Sequence, residues 1–178
     1  MESIAILEHE YFRLRFGWEN GSGCVNWAIN RLRNNEEGED LDIVLLAAAS
    51  EMDDVRPLVE TILERYCGTD RLADELIAGK FVAALRVAYL NGFETIHSLD
   101  MKLSKLYSEL GNVDWLTMLS RNCEYATDIS EFEIPFEKEF AYISDLWTAA
   151  EDLQEFKAKY SREKSNQHDA FFKATSEI

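Results

Sequence analysis

Glu94 and His97 stand three residues apart, a spacing that puts a carboxylate and an imidazole on one helix face. Carboxylate-bridged di-metal bundles use that spacing, but they need a second such pair and two further glutamates. The other histidines, His9 and His168, have no glutamate three residues before them, so a metal role for Glu94 and His97 is not favoured. Gly21-Ser22-Gly23-Cys24 could cradle an anion on backbone N–H groups at a helix start. Yet no strand precedes it, no lysine follows as in a Walker loop, and Glu19 is adjacent. A turn with Ser22 as helix N-cap is the better reading. Asp40-Leu41-Asp42 lacks the central glycine and terminal glutamate of a calcium loop. No serine sits in a nucleophile-elbow pattern. Cys24, Cys67 and Cys123 form no C-x-x-C pair, and each falls in or beside an apolar stripe as a small core residue. The expectation is a non-enzymatic chain without catalytic residues, metal or cofactor.

The elements that would carry any site are helical. The chain has 178 residues, 47% of them hydrophobic, enough for a core, with only two prolines and eight glycines to supply turns. The reading is all-α, about eight helices in antiparallel hairpins, in a single domain over 1–160. Residues 161–178 follow as a polar tail or short docking helix. The spacing predicts helices over Ile4–Phe16, Gly23–Asn34 and Glu39–Ser50, the last (LDIVLLAAAS) buried on most sides. A fourth is capped by Asp54, carries Pro57 at its third position and ends at Gly68. Its inward stripe is Val55, Leu58, Val59, Ile62, Leu63 and Tyr66. A fifth runs from Asp70 to Asn91, with Gly79 as its candidate bend and Leu72, Leu76, Phe81, Leu85 and Ala88 inward, and a sixth covers Thr95–Leu110. A short seventh is capped by Asn112. Glu124–Ile134 reads as a long acidic loop, and an eighth helix opens at Pro135 and reaches Tyr160. A shift of 44 residues, Val55 to Leu99, lays Leu41 on Leu85, Val59 on Leu103 and Ile62 on Leu106. That period suits a HEAT-like stack, with an irregular helical bundle as the alternative.

The formal net charge of −16 excludes nucleic acid and anionic membrane surfaces as ligands, because both need clustered Lys and Arg. It favours steered association with a basic protein. Glu36, Glu37, Glu39, Asp40, Asp42, Glu51, Asp53 and Asp54 come with no Lys or Arg between Arg33 and Arg56. These eight are the candidate partner-binding residues. A second acid-rich segment, Glu124, Asp128, Glu131, Glu133, Glu137 and Glu139, contains only Lys138 as counter-charge. Ordinary solvated faces mix both signs, so two single-sign patches suggest that a basic partner covers one. The N-terminus lacks a basic segment followed by an apolar run, and no stretch is long enough to span a bilayer, so a cytoplasmic protein is expected.

Phe16-Gly17-Trp18, the DIVLLAAA tract from Asp42 to Ala49, and Leu106-Tyr107-Ser108-Glu109-Leu110 leading into Val113-Asp114-Trp115 carry a family resemblance. Over Phe16 to Leu119 the layout resembles the small acidic helical immunity proteins of bacterial contact-dependent inhibition and polymorphic toxin systems. More narrowly it resembles an uncharacterised bacterial domain family. The resemblance implies a protein that neutralises a cognate toxin, a basic nuclease, by covering its active site, and it brings no catalytic residues. The alternatives are a helical-repeat scaffold with no toxin partner, or a small helical metal-binding enzyme using Glu94 and His97.

Overall fold

The computed structural model describes residues 4–50, 52–68 and 71–175, the side chains of 52, 53 and 165–175 excepted. Among these residues the chain is all-α, with nine helices, one 3-10 turn and no strand. It divides into two compact units, Met1–Ala73 and Asp74–Ile178.

The first unit comprises α1 (Ile4–Arg15), α2 (Ser22–Arg33), α3 (Leu41–Ala48) and α4 (Met52–Cys67). Helix ends here are written locally. After α1, Gly17 adopts φ 67°, its N–H bonds the carbonyl of Leu14 and that of Trp18 bonds Arg13. This paired closure needs a left-handed residue, which glycine supplies at little cost. It also returns Trp18 onto the Phe16 ring, with centroids 4.8 Å apart. The start of α2 differs from expectation. Ser22 is its first residue rather than its cap, and the cap position falls to Gly21 at φ 91°. Glu19 and Asn20 take over the work. Asn20 Oδ1 accepts from the Ser22 N–H, and Glu19 Oε1 accepts from the Ser22 hydroxyl and the Gly23 N–H.

Leu7, Tyr11 and Leu14 of α1, Cys24, Trp27 and Ala28 of α2, Ile43 and Leu46 of α3, and Val55, Val59, Ile62 and Leu63 of α4 form one core. Two expectations fail around it. Helix α3 buries only Ile43 and Leu46 fully, and Tyr66 of α4 is exposed rather than inward. Helix α4 begins at Met52, so Asp54 lies inside its first turn rather than capping it, and Pro57 is its sixth residue.

The second unit comprises α5 (Asp74–Leu90), α6 (Ile96–Glu109), α7 (Asp114–Ala126), a 3-10 turn (Ser130–Phe132), α8 (Glu133–Ala149) and α9 (Leu153–Thr175). Helix α5 buries Ile77, Ala78, Gly79, Val82 and Leu85, a stripe shifted from the expected one. Gly79 permits close approach: a Cβ there would fall 2.1 Å from the Trp147 ring of α8. Helix α6 starts as expected at Thr95, whose hydroxyl oxygen accepts the Ser98 N–H while Ser98 Oγ accepts that of Thr95. Asn112 is a left-handed residue (φ 62°) after α6 rather than the cap of α7. Helix α7 then runs on through Ala126, so the expected long acidic loop shrinks to a turn.

The expected eighth helix is two helices, parted at Ala150, which is extended at φ −86°, ψ 132°. Asp152 accepts the Glu155 N–H at 2.8 Å, starting a new helix. The Lys80 ammonium donates to the carbonyls of Trp147 (2.7 Å) and Ala150, satisfying the end of α8. Phe156 of α9 stacks on Trp147 at 3.6 Å, their planes 7° apart. The expected boundary at 160 falls inside α9, which continues to Thr175.

The 44-residue repeat does not correspond to stacked hairpins. Helix α3 packs on α2 and α4, whereas α5 pairs chiefly with α8 and α6 with α7. Leu41 is exposed where its counterpart Leu85 is buried. The shift matched only the inner faces of α4 and α6, which any two amphipathic helices share. The architecture is an irregular helical bundle.

Candidate functional site

Helix α3 is apolar at every position but Asp42, and eight residues of helix cannot bury every side between two neighbours. One face meets the core. The other, Leu41, Val44, Leu45 and Ala48 at i, i+3, i+4 and i+7, faces water. Leu41 is 74% exposed, Leu45 56% and Val44 41%. Scattered single exposures need no explanation, but four in helical register on one short helix make a continuous strip.

Asp40 heads that helix. Its Oδ1 accepts the Asp42 N–H at 3.0 Å, which caps α3, and it also accepts Nη1 of Arg65 from α4. The other arm of the fork, Nη2, reaches Asp42 Oδ2 at 2.5 Å. Burial pushes the Asp40 carboxyl up, but Arg65, the Tyr66 hydroxyl and the Asp42 N–H outweigh it and hold it below the usual aspartate range. The two carboxylates in turn hold Arg65 firmly charged. Tyr66 is shifted up by its own burial and by the Asp40 charge. Glu39, Asp40, Leu41, Asp42, Arg65 and Tyr66 line a shallow cleft of about 600 Å³.

The eight candidate acids do not form one rim. Glu39, Asp40 and Asp42 gather at the head of α3. Glu36 and Glu37 lie half-buried in the turn before it, where Arg31 donates to the Glu36 carbonyl at 2.9 Å. Asp54 is exposed in the first turn of α4, beyond the far end of α3 and so about 12 Å away along an eight-residue helix. Glu51 and the side chain of Asp53 lie outside the described residues. Nor is the rim uncompensated, since Arg65 arrives from 23 and 25 positions further along to pair with Asp42 and Asp40.

The chain matches no family model, no curated protein and no solved structure. The remaining candidates therefore rest on geometry. Glu94 pairs with Lys102 and accepts the Ser98 hydroxyl at 2.5 Å, while His97 is exposed. Among the described residues no group of His, Cys, Asp and Glu is arranged to hold a metal ion. The anion cradle at Gly21–Gly23 is filled by the chain's own Glu19 carboxylate. Cys24 and Cys123 are buried, and burial first of all pushes both thiols up to about 12, far from a reactive thiolate. Cys67 is only partly buried. No described helix is long and apolar enough to cross a membrane.

Sequence reasoning missed Arg65, Tyr66 and the outward face of α3. Only the third left a signal. A helix of eight residues with seven apolar ones has more apolar surface than its neighbours can cover, although periodicity cannot say which side stays bare.

Proposed function

We propose that this chain is a non-enzymatic binding protein that neutralises a cognate toxin, a basic nuclease, by covering its active site. The observation that carries this reading is the bare apolar strip of α3 beside the carboxylates of Glu39, Asp40 and Asp42. Stable interfaces combine an apolar centre with a polar rim, and complementary charge speeds encounter and selects the partner. Asp40 and Asp42 are held in place before binding, since Asp40 is both a helix cap and an Arg65 partner and Asp42 pairs with the same guanidinium. Preorganisation of that kind lowers the entropy lost on association. The net charge of −16 adds long-range attraction to a basic partner.

The test is co-expression with the product of the adjacent upstream reading frame. The expected outcome is growth rescue and co-purification, with an association rate that falls steeply as salt rises. Absence of both rescue and co-purification refutes the toxin reading.

A further inference from the structure

The cleft at the head of α3 is more selective than the strip beside it. Three carboxylates and one guanidinium line it, leaving two net negative charges, and the guanidinium is already engaged on both arms. An anion would find no uncommitted cation there. A purely apolar group would strip water from Glu39 and Asp42 and offer nothing in return. A cation suits it, and the walls specify which. Leu41 is wide open and Tyr66 is 49% exposed, giving an apolar wall and a ring beside the carboxylates. A long side chain with a hydrocarbon stem and a flat, many-donor head matches this combination better than a compact ammonium.

Leu41 belongs to both features: it lines the cleft and begins the strip of Leu41, Val44, Leu45 and Ala48. We propose that the cleft receives an arginine side chain from an amphipathic basic segment of the partner, whose apolar residues lie along that strip. This rests on the reading of the chain as a binder of a basic protein, and names the feature of the partner that is recognised.

The probe is a synthetic helical peptide with leucines at i, i+3, i+4 and i+7 and one arginine a turn before them. Its control carries citrulline, the neutral isostere, in place of arginine. Amide shifts of the isotope-labelled full chain are followed on titration. Saturable shifts are expected over Asp40–Ala48 and at Tyr66, with the arginine peptide binding roughly tenfold tighter than its control. Asp42→Asn, which leaves the Asp40 cap intact, should erase that preference, and Glu39→Gln should reduce it. Leu45→Ser should weaken both peptides alike. Equal affinity of the two peptides for the unaltered chain overturns the arginine assignment, and shifts lying elsewhere overturn the surface as well. A preference for arginine that persists while the upstream gene product fails to bind refutes the toxin reading and leaves the cleft standing.

Discussion

The two acid-rich stretches look alike in sequence and are used differently. In 124–139, Glu131 sits in the 3-10 turn and Glu133 in the first turn of α8, where a helix N-terminus favours negative charge. Glu137 accepts the Tyr89 hydroxyl at 3.2 Å, and Glu139 is half-buried, its carboxyl pushed up by that burial. The exposed large hydrophobic residues there, Tyr125, Ile129 and Ile134, do not share a helix. In 36–54 three of the acids, Glu39, Asp40 and Asp42, gather at the head of a helix whose outer face is bare. Acid density alone thus does not mark a surface for binding. What separates the stretches is an apolar strip in register beside carboxylates that an arginine holds in place.

The largest expected effect breaks the comparison on the apolar side. Leu45→Asp should weaken binding of the upstream gene product about 100-fold, roughly 3 kcal/mol, because it charges the centre of the strip. Its melting temperature should hold, since Leu45 already faces water. Ile134→Asp, the same change in the second stretch, should leave affinity within about twofold. Calorimetric titration of both variants decides it, and equal losses would mean the wrong surface.

A smaller effect concerns stability. Asp40→Ala removes the cap of α3, a loss of about 1 kcal/mol and about 2–4 °C in melting temperature. The Asp42 N–H should then exchange faster with solvent. Glu131→Ala in the second stretch caps nothing and should leave the melting temperature unchanged.

The smallest effect is a pH dependence. The Asp40 carboxyl is held below its ordinary value of 3.8 in the folded chain. A depressed carboxyl adds stability that is full above the unfolded value and disappears as pH falls through the folded one. Between about pH 6 and about pH 3 the urea midpoint should therefore drop more for the native chain than for Asp40→Asn. Identical drops would show that Arg65 contributes nothing to the carboxyl.

The core was readable because it follows helical period. Leu7, Leu14, Val59, Ile62, Leu103 and Leu106 were all placed by spacing, and all are buried. Helix ends were readable where a glycine stood after them. They were not readable where the deciding group lay far off, as when Lys80 satisfies the carbonyls of Trp147 and Ala150 across 67 and 70 residues. The site was half-legible for the same reason. Asp40 and Asp42 could be named from their neighbours, but their partner Arg65 is distant in sequence. Its arrival turns two of the acids from loose surface charge into fixed parts of a cleft.

Neighbouring helices in this chain mostly pack in the order in which they are made: α1 on α2, α2 on α3, α3 on α4, α6 on α7 and α7 on α8. In the second unit the pairing of α5 with α8 is the exception, as the pairings of α1 and α2 with α4 are in the first, for it closes a loop that contains both α6 and α7. Long closures lose more chain entropy before their contacts reward them, so this one is expected to form late in the folding of the second unit. Its seal is the Trp147 ring lying against Gly79, with Phe156 stacked on the same indole. Burial of that tryptophan is thus the expected optical marker of this closure, in a chain whose Trp18, Trp27 and Trp115 have been replaced by phenylalanine.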